Sequence, residues 1–418
     1  DLDIAEDVAI NFNDDIWVVG TTESSNFPTT TGSYQPLIAG SNDMFLAQFS
    51  SAGALLYATH MGGLMDDGGV DVAIDLNDDV IVTGTTRSPG FPVSAGAFQN
   101  TYSGFSSGII AKFNSSGVYQ WSSFLGGNGT TSPFGIVVDM SNFIVTVGKT
   151  AATNFPTTAG AFQSVYAGGT QDMYVAKFDG LGNQQWATYY GGSDFEEATA
   201  LTILPGDSIA VIGHSESLNF PTTVGAYQAT YLGAQDVVLF TLNSLGAQEW
   251  STYLGTVDED EGYGVSSDAN FIYVGGDTYS ANFPVTPCAY QAGGAVDEMQ
   301  FFGEFDFSGQ NVCLTYLGGP GHDEMHSNID VYNGEIFFTG HTGPGYPVTA
   351  GAFQSTMAGG SYDAFIGKIT CSIGSGGANG FVSTTFPDST ICTGDSIMLQ
   401  AYGATSYVWT PNTGISRS

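Results

Sequence analysis

The sequence predicts an all-β fold, a β-propeller of six four-stranded antiparallel blades, and three observations carry that reading. A Phe/Tyr-Pro loop recurs at Phe27, Phe91, Phe155, Phe220, Phe283 and Tyr346, every 63 to 65 residues. Each unit between these anchors holds short apolar runs punctuated by Gly, Asn and Asp turns, with no helical period. A glutamine follows every loop aromatic by eight residues, at Gln35, Gln99, Gln163, Gln228, Gln291 and Gln354. The period sets the number of units before any domain count from length. The short runs make each unit a small antiparallel sheet. The fixed offset says that one hydrogen-bonded loop is built six times. Tandem four-stranded sheets protect their edges by closing around a central channel.

The second unit shows the elements in order. "DVAIDLNDDVIVTG" at 71–84 places two apolar stretches around an Asn/Asp turn, a hairpin. The loop "GFPVSAGAFQ" at 90–99 follows. "GIIAKF" at 108–113 and "YQWSSFLGG" at 119–127 then pair across "NSSG". Elsewhere "DMFLAQF" at 43–49, "DMYVAKF" at 172–178 and "DAFIGKI" at 363–369 take the third-strand place. "WATYYGG" at 186–192, "WSTYLGT" at 250–256 and "LTYLGG" at 314–319 take the fourth. Two units depart from the pattern. Ser107 stands where most third strands begin with Asp, and the fifth unit reads "DEMQFFGEF" at 297–305, two residues longer.

The sixth unit has no recognisable fourth strand after Ile369. Its completion is expected from residues 1–4, from beyond 380, or from sequence upstream of Asp1, where a further blade would make seven. The propeller is thus assigned to 1–370. "CSIGSGGANG" at 371–380 reads as a Gly/Ser linker. Residues 381–418 read as the beginning of a second all-β module, a sandwich too short to complete itself. The sequence opens on an Asp-rich segment already inside the repeat, which reads as a mature or excised piece.

Composition bounds the partners. Forty-one acidic residues face six basic ones, a formal net charge of −35. A phosphate backbone requires a Lys/Arg surface, so no nucleic-acid partner is expected. No apolar run is long enough to span a bilayer as a helix, and direct membrane insertion is not expected. The charge suits a saline, cation-rich extracellular setting. Of the four cysteines, Cys288, Cys313, Cys371 and Cys392, none forms a CxxC pair. Cys288 and Cys313 share a repeat and can bridge in an oxidising compartment.

"DAFIGKI", "WATYYGG" and "DVAIDLNDDVIVTG" followed by a Phe-Pro loop resemble the bacterial SBBP family of β-propeller repeats, in register over roughly 1–370. "CTGDSIMLQAYGATSYVWTPNTG" resembles the Ig/PKD-like modules of large secreted surface proteins of Bacteroidota. The resemblance implies export, often by the type IX system, and adhesin-type roles. It names a scaffold and transfers no catalytic residue.

Candidate chemistry lies in acidic turns. Asn11, Asn13 and Asp15, then Asp75, Asn77 and Asp79, alternate oxygen ligands in hairpin turns. Asp194, Glu196 and Glu197, and Asp258 with Asp260, occupy segments read as inter-blade loops. Calcium takes six to eight hard oxygens from flexible loops, so Ca²⁺ is the candidate ion, with Asp75, Asn77, Asp79, Asp194, Glu196, Asp258 and Asp260 as candidate ligands; the alternative is no metal, because the EF-hand's Gly and closing Glu are absent and Asn/Asp turns form without one. The Asp at the head of third strands (Asp43, Asp172, Asp236, Asp363) reads either as a ring of carboxylates or as acceptors for each blade's own backbone. "HDEMH", His322 to His326, lacks the Glu directly after the first His that a zincin helix needs and falls in a loop segment, so it reads as an ordinary polar loop, the alternative being a metal held by the two histidines and Glu324.

No catalytic residue is assigned. Arg87 and Arg417 are the only arginines, too few for a sialidase clamp, and no G-x-S-x-G elbow occurs. Nothing marks one carboxylate pair among 41 acids. The expected function is a non-enzymatic, extracellular adhesin-type module presenting loops to glycans or other surface ligands. Tyr102, Tyr166, Tyr231 and Tyr279 read either as sugar contacts or, for any single one, as core or blade packing, and the neighbouring Ig-like domains of the same polypeptide are expected partners. The alternatives are a structural spacer of a large surface protein and, third, a glycan-active enzyme.

Overall fold

The computed structural model describes residues 2–287, 289–294, 297–325 and 327–370. They form six sheets in tandem. Blade one is β1 (Asp3–Ile10), β2 (Ile16–Thr22), β3 (Asp43–Phe49) and β4 (Leu55–Met61). Blade two is β5 (Asp67–Ile74), β6 (Val80–Thr86), β7 (Ser107–Phe113) and β8 (Tyr119–Leu125). Blade three is β9 (Thr131–Val138), β10 (Ile144–Thr150), β11 (Asp172–Phe178) and β12 (Gln184–Tyr190). Blade four is β13 (Glu196–Ile203), β14 (Ile209–Ser215), β15 (Asp236–Leu242) and β16 (Gln248–Leu254). Blade five is β17 (Asp260–Ser267), β18 (Ile272–Thr278), β19 (Met299–Phe305) and β20 (Asn311–Leu317). All five are antiparallel meanders in sequence order.

Blade six differs. Two short segments, β21 (Asp323–Glu324) and β22 (Asp330–Tyr332), share the innermost position by both pairing with β23 (Glu335–Thr342). Beyond them β24 (Asp363–Ile369) pairs β23, and among the described residues nothing pairs its outer edge. Residues 3 and 4 belong to β1, so they do not supply the missing strand. The inter-blade segments are also shorter than the sequence suggested, since Glu196, Glu197, Asp260 and Asp323 already lie in strands. The linker and second module expected over 371–418 lie outside the described residues. Cys313 is disulfide-bonded, while Cys288, Cys371 and Cys392 also fall outside them. Among the described residues no helix is long and apolar enough to cross a membrane.

Packing follows from period-two strands that bury both faces. Five apolar clusters sit one at each junction between successive blades. Val19, Met44 and Leu46 of blade one meet Val72, Val82 and Ile109 of blade two, and the same positions repeat up to Phe302 against Ile336 and Phe338. A tryptophan on the fourth strand adds a lock to three junctions. Trp121, Trp186 and Trp250 donate Nε1–H to the carbonyls of Gly180, Ser244 and Phe307 in the next blade's outer hairpin. The ring lies over that hairpin's glycine. A Cβ at Gly246, whose φ is +80°, would stand 2.8 Å from Trp186 Cδ2.

The two ends of the blade are unlike. The first strand's start, the second's end, the third's start and the fourth's end share one end, as the pairing Asp3↔Thr22↔Asp43 shows. That end carries both the Phe-Pro loops and the links between blades. The opposite end carries only short hairpins, such as the one turning at Asp78 (φ 67°). We predict that Gly246→Ala lowers stability by about 1–3 kcal/mol through overpacking at the Trp186 ring. Chemical denaturation should show it, and an unchanged midpoint would contradict this junction.

Candidate functional site

The long-loop end is built first for structure. In four blades the loop glutamine is bonded to the Asp heading the third strand: Gln35, Gln163, Gln228 and Gln354 donate Nε2–H to Asp43, Asp172, Asp236 and Asp363 at 2.7–3.0 Å. Each Asp also accepts a loop amide, from Ala39, Ala167, Leu232 or Ala358. These carboxylates therefore serve their own blades. In blade two the hydroxyl of Ser107 donates to backbone instead, and Gln99 turns to Ser103. In blade five Met299 takes the position of the Asp, opposite Thr278.

A second buried acid begins the first strand. Asp67 accepts from the Gly63 amide, Thr86 and Ser88; Asp260 accepts from the Thr256 amide, Thr278 and Ser280. Glu196 accepts from Ser215 at 2.8 Å. Thus Glu196 and Asp260 are buried acceptors of their own blades, with Asp194 and Asp258 exposed beside them. At the opposite end Asp75 caps its turn through the amides of Asn77 and Asp79. The cation held by Asp75 and Asp79 is the Lys112 ammonium, at 2.6 and 3.1 Å. Burial would raise the Asp75 pKa, but Lys112 and the two amides hold it below the usual range. The seven candidate calcium ligands therefore stand in three separate places. In the turn of the first unit, Asn11 caps the amides of Asn13 and Asp15, while Asp78 of the next blade accepts from Phe12 N and Asn13.

The tyrosines divide in the same way. Tyr102, Tyr166 and Tyr231 donate to loop carbonyls three residues ahead and lie against Phe124, Tyr189 and Tyr253. Tyr279 instead donates to Glu298 at 2.7 Å.

What varies from blade to blade is the channel mouth. The second residue of the first strand faces the penultimate residue of the second, as Ile4↔Thr21, Gly68↔Thr85, Ser132↔Lys149, Glu197↔His214, Glu261↔Asp277 and Glu324↔His341. Blades five and six form an acid–histidine sector. His322 lies between Glu324 Oε1 (2.7 Å) and Glu298 Oε2 (3.0 Å), and His341 Nε2 is 2.7 Å from the other Glu324 oxygen. Burial disfavours the imidazolium of His322, but Glu324 and Glu298 outweigh it and raise its pKa. Burial pushes Glu298 up to about 7. In blades three and four Lys149 pairs with Glu197 at 2.5 Å above the Phe134 and Phe195 rings. Burial, then Lys149, lowers the His214 pKa to about 3, so its ring is neutral.

Blades one to three carry a cleft of about 360 Å³, lined by Thr21, Gly68, Thr85, Ser132, Arg87 and Phe105 among others. Arg87 pairs with Asp66 at 3.2 Å and lies 5.2 Å from the ring of Phe105, which is 70% exposed. These residues belong to one blade only. Glu23, Ala151, Glu216, Tyr279 and Gly343 occupy the place of Arg87, and Ser41, Thr170, Ala234, Asp297 and Ser361 that of Phe105. The sequence reading missed both, and the signal was this departure from the repeat.

Residues 249–284, from the fourth strand of blade four to the next Phe-Pro loop, match the SBBP beta-propeller repeat family. The chain carries an SBBP repeat. It is also 24% identical over 331 residues to the regulatory protein FlaEY of Caulobacter vibrioides, a match covering 73% of this chain and 33% of that protein. The chain thus spans about a third of that relative's length. Among solved structures, the β-propeller domain of the trilobed protease of Pyrococcus furiosus is 9% identical over 87% of this chain and 80% of its own, with a TM-score of 0.44. A gluconolactonase of Xanthomonas campestris is 12% identical over 81% and 95%, with a TM-score of 0.33. These likenesses support no reading of activity.

Two outcomes are expected from these side chains. Burial raises the pKa of Asp172 and Asp260 to about 7 and of Asp236 to about 6. In the unfolded chain they titrate near 3.9. The native state therefore binds more protons between these values, and the stability so gained is complete below about pH 4 and lost as pH rises through 6 to 7. Denaturation midpoints should be higher at pH 5 than at pH 8, and the opposite order would mean that these acids are ionised in the native state. Lys112→Met should cost about 3–5 kcal/mol by leaving buried Asp75 unpaired, again read from a denaturation midpoint. A loss below 1 kcal/mol would show that Asp75 does not depend on the ammonium.

Proposed function

We propose that this is a non-enzymatic binding module of a secreted or cell-surface protein, and that its long-loop end takes neutral glycans. The observation that carries the reading is the cleft beside Arg87 and Phe105. Its volume lies in the range of small-ligand sites. Hydroxyls of Thr21, Thr85 and Ser132, with the Arg87–Asp66 pair, offer donors and acceptors in the alternating pattern that sugar hydroxyls take. The exposed Phe105 ring offers a flat apolar surface to the C–H face of a pyranose. The net charge of −35 disfavours acidic polysaccharides. Glu298 and Glu324 are engaged with Tyr279, His322 and His341, which suits a fixed wall of the mouth better than a carboxylate pair that exchanges protons with a substrate.

The test is a glycan array with the full chain, repeated in EDTA. Neutral glycans should bind in both conditions, because Asp75 and Asp79 already hold Lys112 and Glu196 and Asp260 already accept hydrogen bonds. Phe105→Ala and Arg87→Ala should each weaken binding by about tenfold, about 1.4 kcal/mol. Hits lost in EDTA would move the site to the acidic loops at Asp194 and Asp258. No hits from a folded sample would favour the structural spacer.

A further inference from the structure

The sixth loop, at Tyr346-Pro347, is built like the other five, but among the described residues several of its hydrogen bonds lack the partner they have elsewhere. In blades one to five the residue three beyond the loop aromatic donates its amide to a fourth-strand carbonyl: Thr30 to Ala58, Ser94 to Ser122, Thr158 to Ala187, Thr223 to Ser251, Thr286 to Leu314. The glutamine amide donates to the hydroxyl of the next strand residue, Thr59, Ser123, Thr188, Thr252 or Thr315. The glutamine carbonyl accepts from His60, Phe124, Tyr189, Tyr253 or Tyr316. Its side-chain Oε1 accepts from the glycine that follows the strand, Gly62, Gly126, Gly191, Gly255 or Gly318.

In blade six Gln354 still reaches Asp363 at 2.8 Å. Among the described residues, the amides of Thr349 and Gln354 and both Gln354 carbonyl oxygens have no such partner. A cleft of about 1010 Å³ lies there, lined by Phe338, Tyr346, Phe353, Phe365 and Ile366 among others. The five filled sockets specify the missing strand: Ser or Thr, then an aromatic or His, then Leu, Met or Tyr, then Gly.

Chain order says where that strand comes from. In blades one to five the Ser/Thr stands ten residues after the third strand's last residue, as Thr59 follows Phe49 and Thr315 follows Phe305. Ten residues past Ile369 stand Asn379, Gly380, Phe381 and Val382, and the pattern occurs nowhere in 371–418. On the other side, five residues separate the end of every fourth strand from the next blade's first strand, as between Met61 and Asp67 and between Leu317 and Asp323. Leu2 already makes the bond of such a link: its carbonyl accepts from Glu23 N, as that of Asp66 accepts from Arg87 N.

We infer that blade six is completed by a strand of this pattern lying immediately N-terminal to Asp1, and that its five-residue link draws blade one onto blade six. Both faces of that junction are present. Val8 is 57% exposed, whereas Val72, Ile136, Leu201 and Val265 at its position are at most 5% exposed. Ile366 is 87% exposed, whereas Leu46, Ile110, Val175, Leu239 and Phe302 at its position are at most 1% exposed. Aliphatic side chains are more stable buried than exposed to water, so each face favours the other.

The test fuses a copy of Tyr119–Asn128 in front of Asp1, which reproduces the five-residue link. The control carries Ser123→Ala and Gly126→Pro in the copied segment, removing the hydroxyl and the amide that the socket reads. The extension should slow hydrogen exchange of the outward amides of 363–369 on the order of 100-fold over the control, in a monomer. Equal exchange in the two proteins would overturn the inference. So would protection of 363–369 in the unextended chain, as a monomer or as a dimer closing its own edge.

Discussion

The rest of the structure depends on how a loop glutamine fastens the fourth strand of its own blade. Gln228 shows the whole device: Nε2–H bonds to Thr230 O and Asp236, Oε1 accepts from Gly255, and the backbone exchanges bonds with Thr252 and Tyr253. A loop of about 20 residues would otherwise cost backbone order with no core of its own. Fastened this way, it becomes the top of the blade. It also fixes where the fourth strand ends and so where the next blade begins. Burial of the Asp at its centre outweighs the hydrogen bonds it accepts, which by themselves lower its pKa, and holds Asp172 and Asp236 well above the carboxylate range.

From that repeated device follows a division of labour. Positions that recur serve the scaffold: Thr at the end of second strands, Asp or Glu at the start of first strands, Trp over the next blade's glycine. Positions that do not recur gather at the channel mouth, on the end that carries the long loops. There the circle divides into a hydroxyl and arginine sector over blades one to three and an acid–histidine sector over blades five and six. Blades fixed by packed junctions can present such side chains with little ordering cost on binding. The proposed glycan site rests on this asymmetry.

Much of the fold was legible because its signals are periodic. The Phe-Pro anchors counted the blades, and period-two runs placed the strands to within a few residues. The glutamine and the third-strand Asp were both visible as repeats, although only the structure shows them bonded to each other. The site was far less legible. Acidic turns drew attention as calcium ligands, yet Asp75 faces Lys112 from a strand 37 residues away, a contact that spacing does not reveal. Arg87 and Phe105 were invisible to a search for recurrence, since their distinction is to break it. Blade six was read as lacking a strand, and its inner strand proved to be split as well, at the segment between Glu324 and Asp330.

The most direct measurement compares one substitution in two blades. Gln228→Ala removes three side-chain hydrogen bonds from a filled socket, and Gln354→Ala removes one from an unfilled socket. Denaturation of the two variants should show Gln228→Ala costing about 1–3 kcal/mol more than Gln354→Ala. Equal losses would contradict the claim that the glutamine acts by holding the fourth strand.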